Sequence, residues 1–346
     1  MTGRLHTIGN IGLGKNSLLP SRIIHSLFNT LFLLIDGLLP PFFFILPLMA
    51  APSCSVTGEL PLTCDRAIRL LPSKGTEIRR ADVFFFSDDS LMRLDAFQRF
   101  EGPGAVVDAS STVGKKRAVA VANYPGDRYV WAGVNSLESL SEVRMALRDE
   151  DIDAPVMTGQ FLSEGSPLSA STVSMQPLLA MVRLNSLRCD FSGRPYEGAS
   201  LDSVRVYIVN ASASCALLSD GAPVEYLNAG GLEDDSPACL SANLNGRIGR
   251  AKVYPDIRLY CYPNDSKEDV LGSPFTRLVV EGRMRGHIYY YPVNLTGLAR
   301  GMCYSIDMVI TMAGTDDPDA PLSRGALESS FTILPWEDRD RRTEVF

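Results

Sequence analysis

Hydrophobic and polar residues alternate through most of the chain beyond residue 80. In CYSIDMVIT, Tyr304, Ile306 and Met308 fall on one side of an extended strand, and Ser305 and Asp307 fall on the other. Six further segments of the second half alternate in the same way or are rich in β-branched and aromatic residues: LLAMVRLNSLRCDF, DSVRVYIVNAS, DIRLYCYPN, FTRLVVEGRM, GHIYYYPVNL and ESSFTIL. One buried face and one wet face are typical of antiparallel sheets. The second half is therefore predicted to be a series of strands joined by turns.

The first half contains strand signals as well. Residues 81–100 indicate an apolar strand, an Asp-Asp-Ser turn and a second strand, which together make a hairpin. Residues 115–124, rich in Val and Ala, indicate another strand. The Ser-rich stretch from Ser163 to Ser174 is interpreted as a loop or a domain boundary.

One segment of the first half has helical spacing instead. In SLESLSEVRMALRDED the apolar residues recur every three or four positions, at Leu137, Leu140, Val143 and Leu147. Asn135 or Ser136 is the expected N-cap, and acidic residues follow early in the segment. We predict one amphipathic helix here.

These elements predict an all-β fold of two tandem antiparallel β-sandwich domains, with one short helix in the first. The N-terminal domain is expected to span residues 65–172 and the C-terminal domain residues 173–346. A polar linker over residues 54–64 precedes them, because SVTGELPLT lacks a strand pattern. About 290 residues after the leader exceed the usual size of a single domain.

Residues 27–51 form an apolar segment that is too interrupted for a membrane-spanning helix. An aspartate, a glycine and three prolines punctuate it, whereas a spanning helix needs about 20 uninterrupted apolar residues. Basic residues before it, and small residues followed by Cys54 after it, are typical of a lipoprotein-type secretory signal. We predict a signal peptide over residues 1–53 and lipidation of Cys54. Two alternatives remain: ordinary signal-peptidase cleavage after the alanine pair, and retention of the segment as a helix.

The charge balance and the spacing of the cysteines argue against two kinds of site, one for nucleic acid and one for zinc. Residues 54–346 carry 30 Lys and Arg against 39 Asp and Glu, and the basic residues form no extended cluster. A nucleic-acid partner is therefore excluded, because phosphate contacts require clustered positive charge. The seven cysteines include no CxxC pair, which argues against a zinc site. We interpret most of them as small buried residues, although an exported chain has the chance to pair them.

The chain offers few groups for catalysis. His287 is the single histidine after the leader, and we interpret it as a surface or turn residue because no motif surrounds it. Phosphate-binding loops, HExxH and dinucleotide loops are absent from the sequence. We therefore predict a protein that is not an enzyme and needs no cofactor. A hydrolase working through paired carboxylates is the remaining enzymatic alternative, but no pair stands out.

Two segments contain candidate binding residues. Asp316, Asp317 and Asp319 form an oxygen-rich cluster of the kind that holds calcium, but Asp and Pro are also ordinary turn residues, and we expect no metal there. Tyr289, Tyr290 and Tyr291 offer rings for stacking on a sugar. At strand spacing two of them share a face, so packing within the sheet is the favoured role.

The order of these features resembles the fimbrillin-associated anchor lipoproteins of Bacteroides-type bacteria, which belong to the type V pilus proteins. The resemblance covers most of residues 54–338 and depends on the order of its pieces: the leader ending at Cys54, ADVFFFSDDSLMRLDAF, AVAVANYPG, the helix followed by PVMTGQF, QPLLAMVRLNSL, YYYPVNLTGL, YSIDMVITMAGTDDPDAPL and FTILPWE.

The resemblance implies two transthyretin-like β-sandwiches in a lipoprotein of the outer membrane, at the cell surface or in a fimbrium. It further implies an anchor or accessory role, with fimbrial shaft or accessory subunits as partners. Such subunits join by strand complementation, in which an extended strand of one subunit fills a groove of another. The expected interface strand is the last one, with residues Ser329, Ser330, Phe331, Thr332, Ile333 and Leu334. A plain edge strand of its own sandwich is the alternative interpretation of that segment.

Stalk subunits of the resembled family lose an N-terminal segment to an Arg-specific protease. Arg66-Ala67 and Arg80-Ala81 are the candidate bonds here, and cleavage at either would also remove Cys54. We predict that neither bond is cut, which separates an anchor from a stalk subunit. The alternative function is a non-polymerising surface adhesin, a lipoprotein that binds a glycan or a host protein.

Overall fold

The computed structural model describes residues 62–104, 106–164, 171–266, 269–270, 273–323 and 325–336. These residues belong to one compact unit, Gly58–Phe346. The predicted signal peptide, Cys54 and most of the predicted linker lie outside the described residues. Among the residues that the structure describes, every helix is too short or too polar to cross a membrane.

Nine strands form in the N-terminal half: β1 (Thr63–Leu71), β2 (Arg80–Ser87), β3 (Leu94–Glu101), β4 (Val106–Thr112), β5 (Lys116–Ala122), β6 (Arg144–Ala146), β7 (Met157–Ser163), β8 (Ser171–Ser174) and β9 (Gln176–Pro177). Eight of them build two sheets, with strand orders β3-β2-β5-β7-β9 and β4-β1-β8. Ile68 of β1, Phe85 of β2 and Ala120 of β5 belong to the core cluster that these sheets enclose. This arrangement is a β-sandwich.

Eleven strands form in the C-terminal half: β10 (Ala180–Cys189), β11 (Asp202–Val209), β12 (Ala211–Ser212), β13 (Ser214–Ala216), β14 (Tyr226–Leu227), β15 (Ser241–Leu244), β16 (Ile257–Cys261), β17 (Thr276–Met284), β18 (His287–Leu295), β19 (Met302–Ile310) and β20 (Leu327–Pro335). Two four-stranded sheets, β16-β10-β19-β20 and β15-β11-β17-β18, carry its core. The all-β prediction is confirmed, and the predicted hairpin of the first half appears as β2 and β3.

The alternation read from the sequence becomes burial in the structure. In β19, Tyr304, Ile306, Met308 and Ile310 are buried, and the residues between them are partly exposed. The same core continues past the C-terminal sheets to the outer face of β2 and β5, where Phe84 and Val119 belong to it. Both faces of the sheet are therefore buried at β2 and β5, which explains why β2 is apolar at almost every position.

The predicted amphipathic helix is much shorter than expected. The α-helix α1 spans only Leu137–Ser141, with Ser136 as its N-cap. The chain then forms β6, which pairs with β13, and a 3₁₀ helix, Leu147–Asp149. Because β13 satisfies the backbone hydrogen bonds of this stretch, apolar residues at helical spacing do not need a helix to reach the core. Two other 3₁₀ helices span Arg128–Trp131 and Ala238–Leu240.

Strand pairing is mostly antiparallel, as predicted, but two pairs are parallel. β1 runs parallel to β8, and β10 runs parallel to β19. In both pairs the partners are far apart in sequence, so no short turn dictates their direction. The alternation of apolar and polar residues within one strand does not indicate whether its partner runs parallel or antiparallel.

Two predicted boundaries fall inside strands. β1 begins at Thr63, two residues within the predicted linker, because the alternation of buried residues already includes Cys64. The boundary between residues 172 and 173 falls inside β8, where Val173 is the one buried residue of an otherwise polar strand. The division into two domains itself stays a prediction.

Glu150 connects the two halves of the structure. It follows the 3₁₀ helix Leu147–Asp149, and its carboxylate accepts a hydrogen bond from the Val156 amide and another from the Tyr262 hydroxyl, both at 2.8 Å. Burial raises the pKa of Glu150 to about 7, with a further contribution from the neighbouring charge of Asp151, although the two hydrogen bonds oppose the rise. The carboxyl group is thus held between the halves in a setting that favours its protonated form.

This pKa predicts a pH-dependent stability. A carboxyl group whose pKa is raised on folding stabilises the native state at low pH, and that contribution is lost as pH rises from about 4.5 through about 7. We expect Glu150→Gln to reduce the fall in free energy of unfolding between pH 5 and pH 8 by about 1–3 kcal/mol. Urea unfolding at pH 5 and at pH 8 measures this difference in the free energy of unfolding. Glu138→Gln, at an exposed position of α1, is the control and should leave the pH dependence unchanged.

Candidate assembly surfaces

Strand β20 lies at the edge of its sheet. It pairs antiparallel with β19 along its whole length, from Met302↔Pro335 to Ile310↔Leu327. Among the described residues no strand pairs with its other edge. The outer main-chain groups of β20 therefore face away from the sheet, and they are of the kind that pairs with an added strand. The predicted interface residues Ser329–Leu334 all belong to β20.

The side of β20 that should face the core is left uncovered. Phe331 lies opposite Ile306 of β19, and Ile333 lies opposite Tyr304. Residues directly opposite each other share a face, so these two side chains continue the buried row of β19. Phe331 is nevertheless 42% exposed and Ile333 52% exposed. Among the described residues, no further strand covers Phe331 and Ile333 on this side of β20.

A cleft of about 440 Å³ occupies part of this gap. It lies between β20 and β18 and is lined by Leu327, Ser329, Phe331, Pro292, Val293 and Asn294, among others. Pro292 has no amide hydrogen to donate, so strand addition to β18 is disfavoured at that position. The free edge of β20 is the better partner for an added strand.

Both ends of β20 are held firmly although its middle is exposed. Before the strand, Ala326 is fully buried. After it, the amide of Trp336 donates to the Gly301 carbonyl at 2.8 Å, and the buried indole lies 5.6 Å from the ring of Tyr260. The exposed edge is therefore presented on a fixed support.

An ion-pair network at the cleft engages one of the candidate calcium ligands. The buried guanidinium of Arg277 pairs with Asp269 and Asp319, and its Nε donates to Asn294 at 2.9 Å. The amide of Asn210 also donates to Asp319, at 2.9 Å. The carboxylate of Asp319 is thus satisfied by an arginine and an amide instead of a cation.

The other two aspartates of that segment do not converge on Asp319 through their carboxylates. Asp317 accepts a hydrogen bond from the Asp319 amide at 2.8 Å, which is a turn contact, and Asp316 remains in the same turn. Over the described ranges, no group of three or more His, Cys, Asp or Glu side chains is placed to hold a metal ion. The segment therefore acts as a turn that supports the Arg277 network.

Strand β1 lies in the middle of the three-stranded sheet of the N-terminal sandwich. It pairs antiparallel with β4 and parallel with β8. Of the two candidate cleavage bonds, Arg66-Ala67 lies inside β1, where the side chain of Arg66 is buried. Arg80 begins β2, and its guanidinium donates to the Gly126 carbonyl at 2.8 Å. A protease needs an extended, accessible segment, which the first bond does not offer.

Arg66 is a buried cation that the sequence interpretation missed. Its guanidinium donates to the Ser111 hydroxyl and lies 5.6 Å from the ring centroid of Phe85. Its Nε and second terminal nitrogen have no hydrogen-bond partner among the described residues. The available signal was the alternation of Cys64, Arg66, Ile68 and Leu70, which places an arginine within an apolar row. Burying such donors without partners costs stability.

An apolar pocket of about 260 Å³ lies beside the 3₁₀ helix Arg128–Trp131, lined by Phe84, Leu94, Phe97, Tyr129 and Trp131, among others. The indole of Trp131 donates to the buried carboxylate of Asp82 at 3.0 Å, which fixes the helix on the sheet. Tyr129 is largely exposed, and the guanidinium of Arg128 lies 5.2 Å from its ring. Exposed tyrosine and arginine on a rigid support are typical of binding surfaces.

The remaining candidates of the sequence take structural positions. His287 is exposed at the start of β18. Tyr291 is buried and donates to the Met312 carbonyl at 3.2 Å, whereas the hydroxyl of Tyr289 lies 3.4 Å from that of Tyr196. The packing role predicted for these tyrosines is therefore confirmed for Tyr291.

The cysteines behave as small interior residues. Over the described ranges, no disulfide joins them, and four of the six described cysteines are buried. Burial raises the pKa of Cys189 and of Cys215 to about 11. Both thiols therefore stay protonated at neutral pH, which leaves them poor nucleophiles.

Several solved structures of fimbrial and cell adhesion proteins are similar to this chain in fold. A putative cell adhesion protein from Bacteroides eggerthii aligns with 80% of this chain and 97% of its own, at 18% identity and a TM-score of 0.64. A fimbrilin from Porphyromonas gingivalis W83 aligns with 80% of this chain and 98% of its own, at 14% identity and a TM-score of 0.61.

The tip fimbrial protein Mfa3 of Porphyromonas gingivalis, with a C-terminal truncation, aligns with 79% of this chain and all of its own, at 11% identity and a TM-score of 0.50. No family model matches the sequence, and no curated protein matches it. At these identities the likeness shows a shared fold: an all-β chain of the fimbrillin sandwich type.

The unpaired donors of Arg66 predict that this residue weakens the N-terminal sandwich. We expect Arg66→Met to raise the free energy of unfolding by about 1–3 kcal/mol, because an apolar side chain of similar length removes the buried polar groups. Urea unfolding followed by circular dichroism measures the change.

Arg69→Met is the matched control, because Arg69 lies on the exposed face of the same strand. It should change the free energy of unfolding by less than about 0.5 kcal/mol. A loss of stability in Arg66→Met would mean that the guanidinium contributes more through Phe85 and Ser111 than its unpaired donors cost.

Proposed function

We propose that this protein is a lipoprotein of the outer membrane that acts as an anchor or accessory subunit of a fimbria. It joins a fimbrial polymer to the cell surface by strand complementation. The observation that carries the proposal is the edge strand β20, which is exposed along its middle and held at both ends, and whose outer side pairs with no strand of the described residues. The fold shared with a fimbrilin and a tip fimbrial protein supports it.

The composition of β20 favours pairing with another chain. Edge strands that must stay free usually carry lysine, proline or a bulge within the strand. In β20 the one charged residue is Glu328, near the start, and the one proline is Pro335, at the end. The stretch between them is polar or apolar without charge, and its main-chain groups remain available for a partner strand.

The lipid anchor is supported by the sequence before the described residues. The apolar leader ends in small residues and Cys54, and β1, the first strand of the described residues, begins nine residues after Cys54, at Thr63. Because β1 is the central strand of its sheet, cleavage after Arg66 would require the strand to leave the sandwich first. Retention of Cys54 on the folded protein is what an anchor requires.

A surface adhesin is the second candidate function. The apolar pocket beside Arg128–Trp131, with the exposed ring of Tyr129 at its rim, favours it. A pocket of this size accommodates one sugar ring or one side chain of a host protein. Glycan-array binding by the monomer would favour this alternative over the anchor.

The N-terminus of the mature protein tests the anchor directly. We expect the intact mass of protein from a membrane fraction to correspond to a chain that begins at an acylated Cys54, because the leader has lipoprotein features. Fragmentation of the N-terminal peptide locates the acyl groups. An unmodified chain that begins at Ala67 or Ala81 would contradict the anchor and indicate a stalk or tip subunit.

Introducing positive charge into β20 tests whether this strand is the interface with the fimbrial polymer. We expect the double substitution Ser330→Lys and Thr332→Lys to abolish co-purification with the fimbrial polymer, because lysines on an edge oppose strand addition. The measurement is the amount of this protein in purified fimbriae from its native host.

The control for that substitution places the same charges on another edge strand. Ser241→Lys and Asn243→Lys lie at alternate positions of β15, at the edge of the other C-terminal sheet. Co-purification should survive these changes. Equal loss in both double variants would indicate a general effect of charge and would overturn the assignment of β20.

A further inference from the structure

One end of the N-terminal sandwich gathers the start of β1, the β2–β3 hairpin, the β4–β5 loop and the end of β7. The pairings Thr63↔Thr112, Ser87↔Lys116 and Lys116↔Ser163 bring these pieces to the same side. The amide of Val113 also donates to the Leu62 carbonyl. We name this side the Leu62 end.

The Leu62 end exposes four large aliphatic side chains, each more than half exposed: Leu62, Leu91, Val113 and Leu162. They come from four different segments, so no single local pattern produces the group. Exposed apolar side chains occur singly on most proteins, but a group at one end of a domain indicates a surface that is covered in use.

The chain that leads to Cys54 leaves from this same end. Seven residues, Ser55 to Pro61, separate Cys54 from Leu62, the first described residue. Even fully extended, the eight steps from Cys54 to Leu62 span at most about 29 Å. An acyl chain on Cys54 therefore holds the Leu62 end close to the lipid surface.

The rest of the structure extends from the opposite end of the N-terminal sandwich. Met157 of β7 pairs with Pro177 of β9, from which the chain continues into β10. The opposite end also exposes aliphatic residues, among them Leu71, Val106 and Val130. No segment leads from there to Cys54, so the connection of the chain singles out the Leu62 end.

The charges near the Leu62 end are largely paired with one another. Lys115 lies 3.2 Å from Glu164, and Lys116 lies 3.3 Å from Asp95. Asp89 accepts two backbone amides of its own turn, from Leu91 and Met92. Because this surface carries paired charges of both signs, it should not prefer anionic lipids. Its attraction to a bilayer then comes from apolar contact.

We propose that the Leu62 end rests on the membrane, with Leu62, Leu91, Val113 and Leu162 in contact with the lipid headgroup region. This inference rests on the proposed lipidation of Cys54. The lipid on Cys54 fixes only one point of the chain, so an apolar contact between the domain and the bilayer orients the domain. It would direct the C-terminal half, and with it β20, away from the membrane.

Fluorescence quenching by lipid-borne spin labels tests the orientation. The full mature protein, taken from membranes and reconstituted into phosphatidylcholine vesicles, receives an environment-sensitive dye at Val113→Cys or at Lys74→Cys. Lys74 is exposed in the turn between β1 and β2, at the opposite end. Unsubstituted protein treated with the dye corrects for labelling of native cysteines.

We expect headgroup-level spin labels to quench the dye at position 113 at least about twofold more than the dye at position 74. Equal quenching at the two positions in acylated protein would overturn the inference alone. A mature protein without acyl groups at Cys54 would overturn the anchor and this inference together. Shielding of position 113 only after fimbrial subunits are added would assign the surface to a protein partner and also overturn it.

A substitution then tests the named side chains. Leu91→Ser with Leu162→Ser should reduce quenching at position 113 by about half, because interfacial contact scales with buried apolar area. Val224→Ser, at an exposed valine of the C-terminal half, is the control and should leave quenching unchanged. Undiminished quenching in the double leucine variant would overturn the role of these residues.

Discussion

The hydrogen bonding of strand β1 is the constraint on which the N-terminal sandwich depends. β4 and β8 both pair with β1, so removal of β1 would leave two strands unpaired and expose the core that contains Ile68 and Leu70. Unpaired backbone groups next to an apolar core cost more than most side-chain changes. β1 is also the strand nearest to Cys54. A pull on the chain before Thr63 would meet the hydrogen bonds of β1 to both β4 and β8.

The backbone hydrogen bonding of β20, the last strand of the described residues, is complete on one side. Within the described part of the chain, β20 pairs through its backbone with β19 alone, and Phe331 and Ile333 are more exposed than the β19 residues opposite them. A strand added to the outer edge would complete the hydrogen bonding without any change within the sheet, because Ala326 and Trp336 already hold the strand in place. Among the described residues, the first strand is thus paired on both sides within its sheet, and the last strand is paired on one side.

Alternation predicted the strands well because burial on one side of a sheet imposes a period of two on each strand separately. β2, β3, β5, β19 and β20 all lie where the local pattern indicated. Strand partners depend on the whole chain, so the parallel pairing of β1 with β8 left no local signal. The predicted helix is present but ends early for a related reason, since β13, some 70 residues away, supplies the hydrogen bonds of β6. Of the candidate surfaces, β20 was predicted from the sequence. The roles of the buried residues Glu150 and Arg66 were not predicted, because their contacts are with residues distant in sequence.

Two buried ion-pair networks of the described residues hold loops against strands. Asp82 binds Arg99 and Trp131 and so holds the Arg128–Trp131 helix on the sheet. Arg277 binds two aspartates and supports the loop beside β20. Each network connects a loop to a strand, and each places an exposed feature, Tyr129 in the first case and the β20 edge in the second. Charge pairs of this kind add less to stability than to specificity of placement. A subunit that works by presenting surfaces needs that specificity, because a partner strand or a ligand meets them only when the loops and edges are held in one position.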